Sequence, residues 1–190
     1  CRPLPGPTLT SLMREHAGDD VEPLESGRRA AENVQRRSYD AEVRVGMKEI
    51  NAIGAELIEL NERVGVPLMA SWAWLHTWCR THPEWAPFMV TVCRGDSGAL
   101  HGAALLASRK RGDATSIVAV GHNGSICTKL PTVDSESAAA LANAIRAALD
   151  DIAGVWSLEI EQLPDLDPTM GFLANYLENV QVLPDLRVPR

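Results

Sequence analysis

Long apolar runs are missing from this chain of 190 residues: none approaches the roughly 18 to 20 residues needed to cross a bilayer, so the sequence predicts a soluble protein. A basic surface is missing too. The net charge of −7 and pI near 5.2 argue against the footprint with which proteins neutralise nucleic-acid phosphates. The one basic cluster, Arg109, Lys110 and Arg111, runs into Gly112 and Asp113 and reads as a solvated turn. Cysteine is sparse: Cys1, Cys79, Cys93 and Cys127 form no CxxC pair and no Cys/His spacing suited to zinc. Neither a metal site nor a disulfide framework is expected, and a reducing cytoplasm fits best. Cys1 in place of an initiating Met reads as a processed chain or a fragment, with a lipid-carrying Cys after signal cleavage as the alternative.

What remains is composition typical of one globular domain, 45% hydrophobic and 23% charged, long enough to bury a core. Residues 1–37 carry Pro3, Pro5, Pro7 and Pro23 and charge runs such as Arg28-Arg29, with few large apolar side chains to offset the cost of ordering. They are expected to be an extended or disordered tail. The domain spans 38–190.

From Tyr39 onward Ala41, Val43 and Val45 alternate against Asp40, Glu42 and Arg44, which predicts a half-buried strand. Ile50, Ile53, Leu57, Leu60 and Val64 then recur at helical spacing, predicting one helix that Gly65 and Pro67 end. Gly54 weakens it by about 1 kcal/mol or lets something pack close. Ser71 is placed to cap a second helix over 72–80. Strands at 88–93, 99–108 and 115–120 make an antiparallel meander, and 121–133 reads as a long loop of the kind that often carries function. A strong helix capped by Asp134 or Ser135 runs to about 152, a strand covers 155–161, Asp167 and Pro168 open a helix to about 178, and 180–183 is a short final strand.

This order predicts an α/β fold with a mixed central sheet, and it resembles the GNAT acyltransferases. More specifically, "PLMASWAWLHTWCRTHPEW", "VTVCRGDSGALHGAALLASRKR", "VAVGHNGSICTKLP" and "WSLEIEQLPDLDP" resemble the CelD/BcsL-like acetyltransferases, whose helix marked by Ser-x-x-Trp-Leu precedes a strand pair with a Gly-x-x-x-Leu core. The likeness covers roughly 43–188 and corresponds to the first of two tandem GNAT-like halves. It implies a bacterial acyltransferase that takes acetyl-CoA or another acyl-CoA and transfers the acyl group to a small-molecule amine. In such enzymes backbone N–H groups of an Arg/Gln-x-x-Gly-x-Gly/Ala loop converge on the pyrophosphate beside a helix N-terminus. Here that position reads Gly121, His122, Asn123, Gly124, Ser125, Ile126, Cys127, Thr128, Lys129, with different glycine spacing, and Asp134 and Glu136 add negative charge. Relatives often carry an Asp-Tyr pair where Ile126 and Cys127 stand.

Candidate site residues follow. Gly121, His122, Asn123, Gly124 and Ser125 are the cofactor-binding candidates, at the carboxyl end of a central strand where α/β ligands bind. Lys129 is the candidate substrate cation. Cys127 is a candidate nucleophile if a neighbour lowers its pKa; the alternative is an idle thiol. Glu159 and Glu161, two apart on one strand, are candidate general bases or part of a solvated sheet face. Trp72, with Trp74, Trp78 and Trp85, lines a substrate groove or packs the core. His76, His82 and His101 have no evident partners. Two functions compete: the half of an acyltransferase that lacks the pyrophosphate loop, and a non-catalytic scaffold that binds a partner or pairs with itself through a free strand edge.

Overall fold

The computed structural model describes residues 39–121, 129–160 and 167–176. The expected tail, most of the 121–133 loop, the strand at 180–183 and the end of the last helix lie outside these residues. The described chain forms β1 (Tyr39–Val45), α1 (Met47–Asn51), α2 (Gly54–Val64), a 3-10 turn (Leu68–Ala70), α3 (Trp72–Thr81), β2 (Ala86–Arg94), β3 (Leu100–Arg111), β4 (Ala114–Ala119), α4 (Ser135–Asp150), β5 (Val155–Glu159) and α5 (Pro168–Tyr176).

The strands build one mixed sheet in the order β1-β2-β3-β4-β5. Neighbouring strands from β1 to β4 run antiparallel, whereas α4 carries the chain back so that β5 lies parallel to β4, with Ala114 opposite Val155 and Val118 opposite Glu159. β2 and β3 read as nearly unbroken apolar runs because both sheet faces are covered. On one face Val90, Val92, Leu106 and Ile117 meet Leu141, Ile145 and Leu149 of α4 and Leu173 of α5. On the other, Met89, Leu105 and Val118 meet Ile50, Leu57, Leu60 and Trp78. The result is three layers, helix on sheet on helix.

Four local features differ from the expectation. The helix read across 50–64 is two helices: Ile53 leaves helical geometry at φ −111°, ψ 22°. Gly54 follows it, and a Cβ there would sit 3.2 Å from Trp72 Nε1, so this glycine admits the indole. Ser71 precedes α3 but does not cap it with its side chain; the hydroxyl instead donates to Leu68 O at 2.6 Å. The side of β1 expected to be buried is open, with Val43 47% and Val45 69% exposed, because β1 is an edge of the described sheet.

The fourth difference concerns the long loop. Val120 N–H still donates to Leu105 O of β3, and pairing to β3 resumes where Ala103 N–H donates to Pro131 O and Val133 N–H to His101 O. Gly102 lies opposite Thr132. The chain therefore leaves β3 after Val120 and rejoins it at Pro131, so the end of the stretch read as loop is bridged to the sheet through Thr132. Gly102 is required there: a Cβ would lie 2.8 Å from Val92 Cγ2 and 3.2 Å from Thr132 Cγ2.

Candidate functional site

The excursion begins at Gly121, at the carboxyl end of β4, buried and with φ +100°, a conformation that favours glycine. Beneath it the 3-10 turn, α2 and α3 enclose a cavity of about 30 Å³ lined by Leu57, Asn61, Met69, Trp72, Leu75 and Lys129. That space takes a water molecule and no acyl chain, since small-molecule sites run to about 300 Å³ and more. Lys129, the candidate cation, turns its Nζ to Val64 O at 2.9 Å. It thereby satisfies a carbonyl at the C-terminus of α2, where the helix leaves carbonyls unpaired and favours positive charge.

Trp72 reaches this cavity and packs against Gly54 and the core. Trp78 is buried and stacks on His82 with ring centroids 4.2 Å apart, and Trp72 meets His76 edge-on at 5.3 Å. The tryptophan-rich segment thus packs the α1–α3 layer, and two histidines read as unpartnered have indole partners. Glu159 is exposed at the end of β5. Its proposed companion Glu161, and His122, Asn123, Gly124, Ser125 and Cys127 of the excursion, lie outside the described residues. Of the described cysteines, burial pushes Cys79 up to about 11 and also raises Cys93, which makes both poor nucleophiles at neutral pH. Among the described residues no three His, Cys, Asp or Glu side chains come together to hold a metal ion.

A hydrogen-bonded polar cluster stands where the excursion ends. Asp134 caps α4: its Oδ1 accepts Ser137 N–H at 2.7 Å, and its own N–H donates to Ser137 Oγ at 3.0 Å. The hydroxyl of Tyr39, from the start of β1, donates to the same carboxylate at 3.3 Å. The ring of His101 lies 5.7 Å from that of Tyr39, with Nδ1 buried and unpaired. Burial alone would raise the pKa of Asp134, but the bonds from Ser137 and Tyr39, aided by His101, outweigh it and hold the carboxyl below its ordinary range. Asp134 was legible as a cap from its position before an apolar helical stripe. Its link to Tyr39, 95 positions away, carries no local sequence signal.

A second concavity, about 330 Å³, opens between β1 and α4, lined by Tyr39, Ala41, Asn143, Arg146, Ala147 and Tyr176. Arg146, its charged group, pairs with Asp150 at 3.5 Å.

Chemically, the N-terminus of α4 is closed by its own carboxylate, with Glu136 adding a second acidic group in the first turn. An anion approaching there meets like charge, and the Ser137 N–H it would need is already donated. Among the described residues no helix is long and apolar enough to cross a membrane. No family model and no curated protein sequence matches the chain. The chain is similar to the crystal structure of wild-type TTHA1254 from Thermus thermophilus, at 20% identity and a TM-score of 0.43 over 71% of this chain and 92% of that one. A point mutant of the same protein aligns at 19% identity and a TM-score of 0.39, covering 69% and 93%.

Proposed function

We propose that this chain is a GNAT-like domain of the CelD/BcsL-like kind, the half of a tandem acyltransferase that supports the site without gripping the acyl-CoA pyrophosphate at its own helix. The order of strands and helices, the parallel β4–β5 pair and the family-like segments support the GNAT-like reading. The observation that carries the functional part is the capping box at Asp134. A pyrophosphate needs free N–H groups and a positive helix end; the residues at the start of α4 offer an acceptor already bound to Ser137 N–H and a neighbouring Glu136. They do not fit the group. The 30 Å³ cavity under Gly121 is likewise too small for an acyl chain. Acyl transfer to an amine would then depend on a second GNAT-like half to hold the donor.

The test is thermal denaturation of the full chain with acetyl-CoA and longer acyl-CoAs. A ligand at 100 times its dissociation constant stabilises by about 2.7 kcal/mol, roughly 5–10 °C for a domain of this size. The expected result is an unchanged Tm at millimolar acyl-CoA, and a shift of several degrees would overturn the proposal.

A further inference from the structure

We infer that β1 is the contact between two copies of this chain, paired antiparallel about a two-fold axis through Val43 so that the two sheets become one. The inference is independent of the acyl-CoA reading, because it rests on the outward backbone and side chains of β1 from Ala41 to Val45 and not on the capping box at the start of α4. Gly46 N–H donates to Pro87 O, within the register that pairs β1 with β2. Hydrogen-bonded positions alternate along an antiparallel pair, so Arg44 and Glu42 also bond inward, and the backbone groups of Ala41, Val43 and Val45 face away from β2. The strand has seven residues, no proline and no bulge against β2, and the charges it carries, Asp40, Glu42 and Arg44, are of both signs, so they repel most other strands but not a second copy of this one.

The side chains fit a second copy of themselves. With the axis at Val43, Val43 meets its own symmetry mate and Val45 meets Ala41 of the other copy, each pair exchanging two backbone hydrogen bonds. Both valines are largely exposed in the single chain, at 47% and 69%. Large faces small: Val45 of one copy comes to Ala41 of the other, which lines the 330 Å³ groove beside α4 and leaves room for it. On the reverse face the same axis sets Arg44 opposite Glu42, twice over. Within one chain those two charges already touch at 2.5 Å, so the dimer joins two ion pairs into a closed ring of four alternating charges. A single axis position therefore satisfies the apolar face, the charged face and the backbone together, which is the self-complementarity an isologous interface requires.

The test uses the full chain in analytical ultracentrifugation over a concentration series. The expected mass is twice 20.6 kDa. Glu42→Arg leaves only cations at the two charged positions and Arg44→Glu only anions, so each variant alone is expected to sediment as a monomer and an equimolar mixture to re-form the dimer. Val43→Asp, at an exposed position, should give a monomer with an unchanged far-UV spectrum, and it serves whether or not Arg44→Glu folds. A wild-type monomer at every concentration, as would follow if residues 180–183 or nothing at all covered this edge, overturns the inference. So does a dimer that survives Val43→Asp, or a mixture of the two charge variants that stays monomeric.

Discussion

At Asp134 a single carboxylate ties two separate stretches of chain, the start of α4 through Ser137 and the start of β1 through Tyr39, whose ring packs against His101 of β3. Its folded pKa is depressed, so its contribution is fully present above the unfolded value of about 3.9 and is lost as pH falls through the folded pKa. Asp134→Ala should cost about 1–2 kcal/mol near neutral pH, measured as a lower urea midpoint. The gap to wild type should narrow below about pH 3.5, and a gap that stays constant down to about pH 2 would refute the assignment. Tyr39 behaves in the opposite sense: burial, and then the Asp134 charge, raise its pKa, so its contribution holds below about 10 and fades as pH rises through the folded value. Gly102 offers a second test. Gly102→Ala drives a methyl into Val92 and Thr132, and overpacking of this kind costs roughly 1–3 kcal/mol. Gly102 was legible in the sequence as the glycine of a Gly-x-x-x-Leu strand core with Leu106. The reason for it was not, because Thr132 was read as loop and its contact with Gly102 joins distant positions that local pattern does not connect.

Among the elements, periodicity located nearly every described strand and helix but not how they meet. Periodicity does not mark the break at Ile53, because Ile50, Leu57 and Leu60 keep the spacing of one continuous helix and are all buried. Alternation likewise marked β1 as a strand, yet it says nothing about which neighbour covers the apolar side, and Val43 and Val45 are open. The candidate site shows the same division. The order of elements puts the candidate loop after β4, but no local pattern shows that Lys129, read as a substrate cation, turns its Nζ to the last turn of α2. Lys129→Ala is therefore expected to lower stability by about 0.3–1 kcal/mol, with Lys129→Arg recovering part of the loss. The readout is the thermal midpoint without ligand. An unchanged midpoint in Lys129→Ala would refute a stabilising role for the Nζ–Val64 O bond and leave the ammonium available to a ligand.

Across the whole molecule, the two helical layers are coupled through the sheet. Alternate residues of β2 and β3 point to opposite faces, so Val90 and Leu106 serve the α4–α5 layer while Met89 and Leu105, one position away, serve the α1–α3 layer. Neither layer can leave without exposing strands that the other also needs, which predicts a single cooperative unfolding transition. The tryptophans allow a direct test, because Trp72, Trp78 and Trp85 pack in the α1–α3 layer and Trp156 lies on the opposite face. In a Trp156→Phe background, fluorescence reports the α1–α3 side. Leu141 is fully buried on the other face, and Leu141→Ala should remove about 2–5 kcal/mol. If the sheet couples the layers, this substitution lowers the fluorescence midpoint as far as the far-UV midpoint, by roughly 2–4 °C per kcal/mol. Independent layers would give a fluorescence transition that stays in place while helical signal is lost early, and that outcome would defeat the coupling argument.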